Sequence, residues 1–100
     1  MGMQELVLKL IEGITDVSIR TSIITALSAM VEAYRLGRVS EDELKRDLVL
    51  FCVDVLSVKH PLKSVDELRA EAEQWAEQLF KAIKAKVMRD RYLAKLSTGL

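Results

Sequence analysis

A chain of 100 residues, half of them hydrophobic and 30% charged, with four Gly and one Pro, has the makeup of one helical domain. That profile excludes disorder and a turn-rich β-sandwich, and the length suffices to bury roughly two-thirds of the unfolded surface. Fifteen bases balance fifteen acids, so no overall field recruits DNA or an anionic membrane.

Met3–Glu12 reads as the first helix. Met3, Leu6, Val7, Leu10 and Ile14 follow the helical step, Glu5 and Lys9 form an i,i+4 pair, and Gly13 can close the end in a left-handed conformation. A helix this short draws its stability from packing.

Thr15 or Asp16 then caps Val17–Leu36, which ends at Gly37. This stretch has no charge from Thr21 to Val31. Ile19, Ile23, Leu27, Met30 and Tyr34 stack on one face, and Val17, Ile24 and Val31 form a second apolar row. Ser22, Ala26, Ala29 and Ala33 make a line of small residues that lets a neighbouring helix approach. A helix apolar on more than one side is usually buried, so the pattern predicts the central helix of the bundle.

Ser40-Glu41-Asp42-Glu43 is a capping box, and its acids suit the positive end of the helix dipole. Leu44, Leu48, Phe51, Val55 and Val58 line the predicted inner face, and His60-Pro61 ends the helix. Val49, Val53 and Leu56 fall on another side and Leu50 lies near the acidic residues. With Leu8 of the first helix, they form an apolar surplus that a small bundle has little interior to absorb.

Ser64-Val65-Asp66-Glu67 repeats the capping box and opens the longest helix, to about Leu96. Its seam starts with Leu68, Ala72, Trp75 and Leu79 and drifts onto Phe80, Ile83 and Val87. The connections at about 13–15, 37–40 and 59–63 are short, which makes neighbouring helices antiparallel. The expected fold is all-α: an antiparallel up-and-down four-helix bundle with a long C-terminal helix. It forms one domain over residues 1–100, with a frayed tail at 97–100.

Cys52 is alone, so it has no internal disulfide partner. Set in the apolar run Leu48–Val53, it reads as a core residue. No basic region precedes the first apolar run as in a signal peptide, and no uncharged stretch approaches the ~20 residues that span a bilayer. Leu6 stands where myristoylation of Gly2 would need Ser or Thr. A cytoplasmic protein is expected. The lack of Asn, with Gln only at 4, 74 and 78, leans toward a thermophilic source.

Charge along the last helix is uneven. Ser64 to Phe80 holds five acids against Arg69, and Lys81 to Lys95 holds six bases against Asp90. Dipole matching explains part of this. Lys81, Lys84, Arg91 and Lys95 nevertheless share a stripe, with Tyr92 beside it and Trp75 nearby, making the segment 81–95 a candidate contact for a protein partner or for phosphates. A helix-turn-helix over Tyr34–Leu44 would aim Glu41, Asp42 and Glu43 at DNA phosphates, which argues against it.

Glu43, Asp47 and Asp54 share a face of the third helix and form a candidate carboxylate site for a metal or ligand. Completing it would take ligands from another helix, with Glu12 and Glu32 the default candidates. Gly37–Leu48 lacks the ligand alternation of an EF-hand, and His60 adjoins a loop Pro without a nucleophile motif. The four glycines are scattered rather than gathered in a phosphate loop. The residues carry no family motif and name no cofactor. They point to a non-enzymatic interaction module, homodimeric or bound to a protein partner. Nucleic-acid binding through the basic segment is the less favoured alternative, and no membrane is implied.

Overall fold

Local signals set the ends of four helices in the computed structural model, which describes residues 2–98. These are α1 (Met3–Leu10), α2 (Val17–Arg35), α3 (Glu41–Lys59) and α4 (Val65–Thr98). The first helix stops short of Glu12: Ile11 is its C-cap, and the turn that follows passes through Gly13 at φ 92°. Asp16, rather than Thr15, caps α2, its Oδ1 accepting from the Ile19 amide at 3.1 Å.

α2 closes in a Schellman motif: Gly37 N–H donates to Tyr34 O at 3.0 Å and Arg38 N–H to Ala33 O at 2.9 Å. Gly37 sits at φ 74°, where an L side chain would be strained. Both bonds of the Ser40–Glu43 capping box form, at 3.1 and 3.2 Å. Ser64 Oγ accepts from the Glu67 amide at 3.2 Å at the start of α4. Ser97 and Thr98 are still helical, and the rest of the expected frayed tail lies outside the described residues.

The main packing runs α2–α3–α4–α1, with the α3–α4 hairpin at its heart. Leu44, Leu48, Cys52, Val55 and Leu56 of α3 and Leu68, Ala72, Ala76, Leu79, Ile83 and Val87 of α4 are buried. α1 and its exit turn close one end of this core with Leu6, Leu10, Ile11 and Ile14. Lys59 Nζ donates to Leu10 O at 3.0 Å and so ties α3 to the carbonyl end of α1. Ala72 and Ala76 on the α4 seam permit close approach of α3. With 34 residues, α4 is about 51 Å long at 1.5 Å per residue and nearly spans the 55 Å long axis.

Two expectations change. α2 is not the central helix: Ile23 and Leu27 are its only buried residues, while Ser22, Ala26 and Ala29 of the small-residue line are exposed. Only Ala33 of that line is half-buried, because α2 rests at the edge of the packing order, mainly against α3. The inner face of α3 also turns further than expected. Leu56 is fully buried, Phe51 half-buried and Val58 exposed. α3 has α2 on one flank and α4 on the other, so its apolar arc must be wide, and part of the apparent surplus is core.

Candidate functional site

The second half of α4 places the basic stripe. Lys81, Arg91, Tyr92 and Lys95 are exposed and Lys84 is half-buried. Lys81 and Lys84, with Lys45, Phe80, Ala85 and Met88, line a shallow groove of about 450 Å³ beside α3. Lys45 Nζ lies 4.8 Å from the centre of the Phe80 ring, a cation–π contact at its wall.

The cations already have local partners. Lys81 pairs with Glu77 at 3.2 Å, Lys84 with Glu41 at 3.2 Å and Lys86 with Asp90 at 3.1 Å. Arg91 Nη2 donates to Arg35 O at 3.1 Å, tying α4 to the carbonyl end of α2. Lys95 is partnered too. Exposed ion pairs of this kind contribute about 0–1 kcal/mol, so an incoming anion can replace them at little cost.

Lys84 belongs to a clasp across three helices. Tyr34 Oη of α2 donates to Glu41 Oε1 of α3 at 3.3 Å, and Lys84 of α4 reaches the same oxygen at 3.2 Å. The Lys84 hydrogen bond is the chief cause that holds the Glu41 carboxyl below the ordinary value of 4.5, with Tyr34 and Lys45 adding to it. Glu32 is lowered in the same sense by Arg35, whose Nε donates to it at 3.0 Å.

The acidic stripe is not assembled into a site. Asp47 and Asp54 lie about 10 Å apart along α3 by helical rise, both exposed, and Glu43 is engaged in its capping box. Glu32 is bound to Arg35, and among the described residues no three His, Cys, Asp or Glu side chains are grouped to hold a metal ion. His60 is the C-cap of α3, its amide donating to Leu56 O at 2.8 Å. Burial pushes the Cys52 thiol up to about 12, which leaves almost no thiolate at neutral pH. Among the described residues, no buried side chain is polar or charged, and no helix is long and apolar enough to cross a membrane.

A second surface escaped the pattern reading because α2 was expected to be covered. Between α2 and α3 runs a groove of about 330 Å³. Ser18, Ser22 and Ala26 form one wall, and Phe51, Asp54 and Val58 the other. The signal was present in the sequence as the charge-free run Thr21–Val31, but its meaning depended on where α2 packs. Compared with known proteins, the chain matches no family model, no curated protein and no solved structure.

Proposed function

We propose that this chain is a small, non-enzymatic helical interaction module that self-associates through exposed apolar faces and offers the basic end of α4 to a protein partner. A surplus of exposed surface carries the reading. The chain exposes 6810 Å², where a folded monomer of 11.3 kDa is expected to expose about 5,700 Å². Its radius of gyration, 14.8 Å, likewise exceeds the roughly 13 Å usual for this length.

Large apolar side chains contribute to that surface on α2 (Val17, Ile24) and at the end of α4 (Met88, Tyr92, Leu93, Leu96). Contiguous exposed apolar surface commonly marks an interface. At the end of α4, cations interleave with apolar groups, which suits an acidic protein surface with apolar side chains of its own.

Light scattering on the full chain across a dilution series tests the reading. A mass twice 11.3 kDa that falls on dilution is expected; a constant monomer mass ends the self-association claim. Titration with generic duplex DNA tests the partner class. Tight binding at low salt that weakens steeply as salt rises would reassign the basic end from protein to phosphates.

A further inference from the structure

We propose that two copies of this chain pair antiparallel through the outer side of α4, so that the basic half of each helix lies on the acidic half of the other. The proposal rests on the self-association reading above and identifies the acidic surface that meets the basic end of α4.

One side of α4 is uncovered along the whole helix. The buried seam runs through Leu68, Ala72, Ala76, Leu79, Ile83 and Val87. At about 100° per residue, Glu67, Glu71, Gln74, Gln78, Ala85 and Arg89 fall on the opposite side, and all are exposed. Met88, Tyr92 and Leu96 lie in the same strip and are 58%, 63% and 51% exposed. Apolar groups and charges therefore share one face, roughly 100° wide by the same count.

Two charges on this face have no cause within the helix. The dipole favours acids in the first turn and bases in the last, but Glu71 lies in the second turn and Arg89 well short of the last. The neighbours of Glu71 at three- and four-residue steps are Glu67, Leu68, Gln74 and Trp75, and those of Arg89 are Ala85, Lys86, Tyr92 and Leu93. Neither finds an opposite charge along α4 at the spacing that pairs side chains.

Charge complementarity selects the occupant, because the surface that fits this face is the face itself, reversed. Lys81 stands near the midpoint of α4. A two-fold crossing there, with the helices antiparallel, sets Lys95 level with Glu67 of the second copy, Tyr92 with Ala70 and Met88 with Gln74. The small Ala70 leaves room for the Tyr92 ring. Glu71 comes within about half a turn of Arg89, on the flank that such a crossing brings together. Each contact occurs twice, as an isologous interface requires. A parallel crossing would set acid against acid and base against base, which is costly. Lys81 meets its own copy at the axis, where Glu77 already pairs with it at 3.2 Å.

Sedimentation velocity on the parent, Glu71→Lys, Arg89→Glu and the double variant Glu71→Lys/Arg89→Glu tests this. Both positions are exposed, and Lys and Glu are good helix formers, so far-UV circular dichroism should not change. Each single change sets like charges against each other at both ends of the contact and is expected to weaken dimerisation about 10-fold or more. The double variant restores opposite charges and should recover most of the loss. Within one protomer the two residues stand about 27 Å apart by helical rise, well beyond the screening length of about 10 Å in 0.1 M salt. Such a rescue therefore arises only between copies paired antiparallel. Ile24→Lys, on the exposed side of α2, should dimerise like the parent. Single changes without effect, or a double variant no tighter than the singles, overturn the α4 pairing while self-association stands. So does a loss of dimer in Ile24→Lys alone, which moves the contact to α2; a monomeric parent overturns both readings.

Discussion

Helix α3 breaks its apolar sequence with Asp47 and Asp54, yet it buries Leu44, Leu48, Cys52, Val55 and Leu56. Helix α2, charge-free through its middle, buries only Ile23 and Leu27. Both have 19 residues. Composition alone would rank them the other way. Burial follows the number of neighbours: α3 is flanked by α2 and α4, whereas α2 leans mainly on α3. Asp47 and Asp54 cost little, because two flanking helices still leave α3 an outer strip in water, where both are exposed. The apolar character of α2 therefore exceeds what its packing against α3 buries.

Cavity formation gives the largest expected contrast. Leu79→Ala, at a fully buried position in the α4 seam, should cost about 3–5 kcal/mol in urea unfolding, and Leu27→Ala on the thinly covered α2 only about 2 kcal/mol. Equal losses would mean that α2 is as integral to the protomer as the hairpin.

Adding volume sharpens the same comparison. Ala72→Leu meets the α3–α4 contact, where the alanine is fully buried, and overpacking should destabilise by about 1–3 kcal/mol. Ala26→Leu faces solvent in the protomer. It should change stability by less than about 0.5 kcal/mol. A large loss at Ala26 would show that another part of the chain already covers it.

The smallest effect concerns the clasp that fastens α2 to the hairpin. Because Lys84 and Tyr34 hold the Glu41 carboxyl below its ordinary value of 4.5, the contact contributes fully above that pH. Its contribution is lost as pH falls through the lower value in the folded protein. Melting curves through the acid range should thus show a shallower decline for Lys84→Gln than for the parent. Identical acid limbs would mean that the ion pair adds nothing to the attachment of α2.

Much of the fold was legible because its signals are local. Ser40 and Glu43 meet through one turn of backbone, Gly37 supplies the conformation that stops α2, and Pro61 forbids continuation of α3. Boundaries read from those residues needed only small adjustment, as at α1, where Ile11–Gly13 turn instead of extending the helix. The candidate sites were less legible. Lys81, Lys84, Arg91 and Lys95 do share a stripe, but the sequence does not announce that Glu41, far away in the chain, would pair with Lys84. Neither does it reveal that Arg91 would end on a carbonyl of α2.

The sequence by itself determined four amphipathic helices, their caps, their short antiparallel connections and the seam of α4, since each rests on interactions within a few residues. Only the tertiary structure decided which helix lies at the centre and which at the edge. An apolar stripe specifies that a face should leave water without specifying what will cover it. In this chain α3 and α4 cover each other, and the charge-free face of α2 is left open beside them.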